Sequence, residues 1–275
     1  MFEEVLRKLI EIGFELTVLF MFIGIVLPKE DPFKVIFNAF KEIKLKFKFY
    51  RVIFGVIIIY FAINILETKF DYYFTHQILK TDFTHIIYFI EGNSVGRIQL
   101  LLKNTALTIF LTHVYVFTFP IQFFSAMIIY IHKKMHNMTI ATVVSLGLNY
   151  FLVLPFYIFF PVHEVWFYKS NNVAFFAPLG YPYISMDYRN MSGIDNCFPS
   201  FHTSMAVTMI ILAYHSKIKP LYYLTLIFSV LTIISTIYLG IHWLTDVAAG
   251  IFVGWAGTYI GIKFGDKKAG TLQID

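Results

Sequence analysis

A single cysteine, Cys197, in 275 residues leaves no partner for an intramolecular disulfide and no cysteine cluster to hold a metal. Charge is scarce as well. Asp, Glu, Lys and Arg make up 14% of the chain against 58% hydrophobic residues, and the mean hydropathy is +0.68. A water-soluble globule of this composition would lack the polar residues to cover its surface, so the lipid bilayer is the expected solvent. Tandem repeats and low-complexity linkers are absent too, which leaves one continuous domain as the simplest organisation. No cleavable leader is expected, because the first apolar stretch follows Glu3 and Glu4 and shows no small-residue cleavage pattern before Pro28. The cationic excess, +5 with a pI near 9.0, sits in short clusters between apolar runs. That pattern argues against nucleic acid as a partner and reads as a topology signal.

A membrane-spanning helix needs about 20 largely apolar residues. Candidate spans are 5–27, 51–66, 105–131, 139–161, 200–214, 221–239 and 243–263, of which the second and fifth are short. The connecting segments alternate in charge. Lys29, Lys34, Lys41, Lys44, Lys46 and Lys48 precede the second span; Lys133 and Lys134, Lys217 and Lys219, and Lys263, Lys267 and Lys268 mark later connections and the tail. All fall on one side, which the positive-inside tendency makes cytoplasmic. Segments 67–104 and 162–199, the turn at Gly240 and the N-terminus are then expected outside. Residues 70–103 interleave Phe, Tyr and Ile with Asp, His and Lys at helical spacing, as expected of helices lying on the membrane surface. Segment 162–199, with "APLGYPY" and "MDYRNMSGIDN", is too rich in turn formers for a regular helix and reads as an outer loop long enough to act as a lid. The expected fold is all-α: a polytopic transmembrane helical bundle of six core spans plus one extra N-terminal helix, with surface helices and an outer loop.

Three polar residues lie where a membrane protein avoids them: His202 early in one apolar segment, and His242 and Asp246 at the start of another. Such placements mark function more often than packing. His242 and Asp246 are four apart in "HWLTD", so a helix would put them on one face, where the carboxylate accepts from one imidazole N–H. The other ring nitrogen is then left unprotonated, as attack on phosphorus or removal of a proton requires. His202 lies in "FPSFHTS", where Pro199 suits a first helical turn whose amides suit an anion. A protonated His202 would supply a proton to a leaving alkoxide. In the expected topology both segments start from the same face, which lets the two histidines meet.

"PSFH" at 199–202, followed 40 residues after its histidine by "STIYLGIHWLTDVAAG" at 235–250, resembles the second and third signatures of the type 2 phosphatidic acid phosphatase superfamily. This superfamily includes lipid phosphate phosphatases, vanadium haloperoxidases and inositol phosphorylceramide synthases. The resemblance implies that His242 is a nucleophile that becomes phosphorylated, that Asp246 orients it and that His202 is the general acid. It implies a catalytic membrane domain over 51–263, preceded by an N-terminal transmembrane helix and basic cytoplasmic loop over 1–50 and followed by a cytoplasmic tail over 264–275. It further implies a lipid-linked phosphate substrate; no metal or cofactor is expected, since a histidine supplies the nucleophile and no metal-ligand cluster is apparent in the sequence. Departures from the signatures are informative. Lys169 is followed seven residues later by Phe176 where the first signature has Arg-Pro, Ser235-Thr236 stands where the third has Ser-Arg, and Phe201 replaces a glycine in the second. The loss of cationic residues resembles the inositol phosphorylceramide synthases and their prokaryotic relatives. Lys169 and Arg189, the strongly basic residues of the 162–199 loop, are candidates for the missing phosphate charge. Ser200 and Gly240 join them as candidate substrate-binding positions.

Plainer readings stand beside these. His113 and His163 are expected to be packing or interface histidines, and "YLGIH" is equally a tight turn with Gly240 there for its backbone. The aromatic residues, including 32 Phe and 18 Tyr, are expected to face lipid and its interface. "NMS" at 190–192 fits a glycosylation acceptor. Three function classes follow: a phosphatase or phosphotransferase acting on lipid phosphate or diphosphate esters, a transporter using an intramembrane His/Asp relay, and an inactive scaffold. The first accounts for all three polar residues. The second lacks an inverted repeat and helices broken by Gly or Pro in both halves.

Overall fold

The computed structural model describes residues 2–182, 184 and 194–272. Among them the regular structure is helical: α1 (Phe2–Val26), α2 (Pro32–Leu45), α3 (Phe47–Tyr73) continued by a π-helical turn (Phe74–Leu79), α4 (Thr84–Glu91), α5 (Ser94–Leu102), α6 (Thr105–His132), α7 (His136–Phe159), the short α8 (Ala177–Gly180), α9 (Phe201–His215), α10 (Lys219–Tyr238) and α11 (Leu244–Leu272). Local chemistry places the ends. Asp31 accepts from the Phe33 amide ahead of Pro32, Asn104 accepts from the Leu107 amide, and Ser200 accepts from the Thr203 amide. Each cap satisfies a donor that the first helical turn leaves orphaned.

Six helices are long and apolar enough to cross a membrane: Arg7–Val26, Phe47–Leu66, Thr105–His132, His136–Phe159, Lys219–Tyr238 and Leu244–Lys268. The expected span at 200–214 is the exception. It forms α9, whose 15 residues reach only about 22 Å at 1.5 Å per residue, less than the roughly 30 Å hydrocarbon core. Its place is inside the bundle, against α6, α7, α10 and α11. Most of the expected basic loop before the second span is helical as well. Helix α2 buries Val35, Ala39 and Glu42 while exposing Phe33, Phe37 and Phe40, an arrangement suited to a membrane interface. Of the surface helices expected over 70–103, α4 and α5 are present and expose Phe89, Ile90, Leu100 and Leu101, whereas residues 70–79 continue α3 and its π-helical turn.

Helix α6 is the central element, burying Leu111, Tyr115, Phe117, Ile121, Ile129 and Tyr130. Helices α1 and α3 lie outside it, with Leu9, Ile10, Phe14, Ile58, Ile59 and Phe61 exposed as lipid would require. Helix α11 packs between α7 and α9 through glycines. At Gly250 a Cβ would stand 2.5 Å from the Ser200 carbonyl oxygen, so only glycine lets α11 approach the start of α9 this closely. Deeper in the bundle, Asn149 donates to Thr208 Oγ1 at 2.6 Å and Thr258 donates to the same oxygen at 2.9 Å, tying α7, α9 and α11 together.

These contacts give the bundle two distinct ends. His215 meets Asp266, and Asn137 donates to Asp266, so the lysine-rich connections gather at one end. The starts of α9 and α11 and the ends of α7 and α10 gather at the other. The N-terminal part of α1 also reaches that second end, where Arg7 and Glu11 both bond the Tyr181 hydroxyl, at 2.8 and 2.6 Å.

Candidate active site

At the end opposite the lysines, the chain leaves α10 at Tyr238 and turns through Leu239–Trp243 before α11 begins. Gly240 adopts φ +81°, and a Cβ there would stand 2.6 Å from the Ala174 carbonyl oxygen. The turn therefore requires glycine both for its backbone and for its space, in line with the plainer reading of "YLGIH". The amides of Ile241 and His242 both donate to the Thr236 carbonyl, at 3.1 Å each. His242 thus lies ahead of the helix and not on it. Its closeness to Asp246 arises from this turn, and the shared helix face expected from the four-residue spacing is replaced by a loop residue folding back onto the first turn of α11.

Asp246 is fully buried and His242 is 4% exposed. His242 Nδ1 is 3.4 Å from Asp246 Oδ2. The same oxygen accepts from the Trp243 amide at 2.8 Å and from Cys197 Sγ at 2.9 Å. His202, in the first turn of α9, stacks on Tyr115 with ring centroids 4.3 Å apart, its Nδ1 3.3 Å from the Tyr115 hydroxyl. The His202 and His242 rings are 6.4 Å apart between centroids. The structure therefore brings His202, His242 and Asp246 together as the sequence implies. Helix starts are locked to each other as well: the Ser200 amide donates to the Asp246 carbonyl at 3.0 Å, and the Tyr157 hydroxyl at the end of α7 donates to the Pro199 carbonyl at 3.1 Å.

The remaining candidates fare differently. Ser200 is buried, and its hydroxyl accepts from the Thr203 amide at 3.3 Å, so it caps α9. Lys169 is exposed in a short 3₁₀ turn, Lys169–Asn171, one residue from Tyr168, whose ring lies against Trp243. Arg189 and the "NMS" triplet lie outside the described residues. His113 Nδ1 donates locally to the Ile109 carbonyl. His163 is more than packing: its ring is 3.3 Å from Asp82 Oδ1, and its carbonyl accepts from Trp243 Nε1 at 2.9 Å.

Four contributors carry little sequence signal. Glu91, at the end of surface helix α4, accepts from the Leu244 amide at 2.9 Å and from the amide and hydroxyl of Thr245, capping α11 from more than 150 positions away. Gln99 on α5 donates to the Ala174 and Tyr238 carbonyls at 2.8 and 3.0 Å and accepts from the Ala174 amide, stitching the outer loop to the end of α10. The third is Tyr115 and the fourth Cys197, visible in the sequence only as the lone cysteine. Contacts spanning this many positions cannot be read from local pattern; a Glu or Gln breaking the apolar face of a surface helix is the one available hint.

The described parts of the outer loop are held down. Val162 and Asn196 form a parallel bridge, and the amides of Val165, Trp166 and Phe176 donate to the carbonyls of Ile241, Gly240 and Leu239. Around the loop, burial together with Asp246 and Glu164 raises the Cys197 thiol well above its ordinary range, so the sulfur stays protonated and acts as a donor. Burial would raise Asp82, but hydrogen bonds from His163 and Thr84 outweigh it and hold the carboxyl at about 2. The Asp82 hydrogen bond in turn raises His163. Among the described residues, Cys197, His242 and Asp246 are also a set with metal-ligand chemistry, their donor atoms lying within 4.8 Å of one another.

A family model described as the PAP2 superfamily matches residues 90–260. That range holds His202, His242, Asp246, Cys197 and Glu91. No curated protein and no solved structure matches the chain. With more than half of its length matched, the chain belongs to the PAP2 superfamily.

Proposed function

We propose that this protein is a membrane phosphohydrolase or phosphotransferase acting on lipid phosphate or diphosphate esters through a phosphohistidine. The observation that carries the reading is the pairing of two histidines, 6.4 Å apart between ring centroids, one backed by a buried carboxylate and the other at a helix start. With its Nδ1 proton directed to Asp246, His242 has its lone pair on Nε2. That nitrogen forms the bond to phosphorus as the bond to the leaving oxygen breaks, and His202 delivers the proton to the departing alkoxide. Water or an acceptor alcohol then attacks phosphorus, the N–P bond breaks, and His202 takes the attacking group's proton. Amides in the first turn of α9, which have no intrahelical acceptors, suit the phosphoryl oxygens.

Signature arginines are missing, since Thr236 follows Ser235 and offers its carbonyl to the turn. In our reading Lys169 and Arg189 supply cationic charge from the outer loop. The same loss favours transfer of a head group to an alcohol, in the manner of the inositol phosphorylceramide synthases, as a second reading. The site faces the non-cytoplasmic side, because the lysine-rich connections occupy the opposite end of the bundle.

The test is phosphate release in detergent from a panel of lipid phosphates and diphosphates, by the native chain and His242→Ala. Release that disappears in the variant supports histidine-dependent hydrolysis. No release from either, but head-group exchange with an added alcohol, supports transfer; neither activity in the native chain overturns the reading.

A further inference from the structure

Asp246 Oδ2 is the meeting point of three donors, and the shortest contacts do not come from the histidine it is expected to serve. The Trp243 amide stands at 2.8 Å and Cys197 Sγ at 2.9 Å, whereas His242 Nδ1 stands at 3.4 Å. At 3.4 Å a nitrogen–oxygen contact has little directional strength. The carboxylate's position is therefore set by the amide and the thiol, and the imidazole meets an oxygen already held.

The sulfur is itself anchored. The Cys197 amide donates to the Val162 carbonyl at 3.1 Å, and Sγ lies 3.3 Å from both the Ile241 carbonyl and His242 Nδ1. Cys197 is 1% exposed and packs with Val162, Val165 and Trp243. A thiol suits such a place, since it is weakly hydrated and costs little to bury, yet keeps one polar hydrogen to direct. Its S–H faces a competing carbonyl at 3.3 Å and a carboxylate at 2.9 Å. The closer, charged acceptor takes it. A buried carboxylate needs fixed donors more than an exposed one does, because no solvent compensates for a missing partner.

We infer that Cys197 is a positioning residue of the active site, its S–H holding the Asp246 carboxylate in the orientation from which His242 is aligned for attack. The inference rests on the phosphohistidine reading above. It extends the His–Asp pair to a Cys–Asp–His relay and joins the pair to the outer loop, since the segment that carries Cys197 is bridged to Val162. A role in alignment acts on turnover and leaves substrate binding in place.

The first measurement needs no turnover. With one cysteine in the chain, the native protein has a single S–H stretch in the infrared. The expected band lies at lower frequency than that of an unbonded thiol, vanishes in Cys197→Ser and shifts upward in Asp246→Ala. A native band at the unbonded frequency would overturn the inference even if no substituted protein folded. The second measurement is kinetic. Cys197→Ala is expected to lower kcat about tenfold with KM within about twofold, and Cys197→Ser, which keeps a donor, to restore kcat to within about threefold of native. An unchanged kcat in folded Cys197→Ala, or a serine variant as slow as the alanine one, would also overturn it. A native chain without any phosphoryl turnover would overturn the functional reading and this role with it, whatever the band position. Turnover with an unbonded thiol overturns only the role of Cys197.

Discussion

At the lysine-rich end of the bundle His132 Nε2 stands 2.6 Å from Glu30 Oε2; at the other end His242 Nδ1 stands 3.4 Å from Asp246 Oδ2. By distance the first pair is the stronger. By surroundings the order reverses. Glu30 is 38% exposed and shared with Lys133, so water and neighbouring charge screen whatever it does. Asp246 is fully buried and receives a backbone amide and a thiol as well as the imidazole. Closeness of a histidine to a carboxylate thus says little about chemistry. What separates the two ends is whether the acid is held by fixed donors away from water, so that its charge acts on one ring alone.

Exchanging the pairs' fortunes gives the largest expected effect. His242→Ala should lower turnover by at least about 10³-fold, while His132→Ala should leave it within about twofold; steady-state assay of both variants at matched detergent and lipid measures the contrast. Next comes the proposed general acid. His202→Gln should cost about 10²- to 10⁴-fold in kcat, with the smaller losses for substrates whose leaving group needs no proton, such as an aryl phosphate. A plot of the loss against leaving-group acidity checks the assignment.

A smaller effect is expected from the surface helix that caps α11. Replacing Glu91 by Ala removes the acceptor for two amides and a hydroxyl, and should destabilise the protein by about 1–3 kcal/mol, read as a lower thermal midpoint. The smallest is a pH effect at the rim. Asp82 sits at about 2 against its ordinary 3.8, so its contribution is present above 3.8 and lost as pH falls toward 2. His163 is raised above 6.5, so its contribution is full below 6.5 and is lost as pH rises through the raised value. The pair therefore works best between 3.8 and 6.5. Thermal midpoints of native and Asp82→Asn protein should differ most at about pH 5 and draw closer, without meeting, as pH rises through the raised His163 value, because the Thr84 hydrogen bonds to Asp82 persist.

Composition and apolar run length determined that this chain is a helical membrane bundle, because continuous apolar runs of about 20 residues satisfy their own backbone in lipid as helices. Spacing and flanking residues marked His202, His242 and Asp246, since buried polar residues in apolar segments stand out against their surroundings. Tertiary structure decided the rest. It enclosed the short fifth expected span, as α9, within the bundle, where Gly250 and Gly254 let α11 pack closely against it. It made the His242–Asp246 approach a product of the Gly240 turn instead of helical period. It turned Ser200 into a cap and left Lys169 exposed. Above all it placed Cys197, Glu91, Gln99 and Tyr115 at the site through contacts between distant segments, and such contacts leave no periodic trace in the chain that makes them.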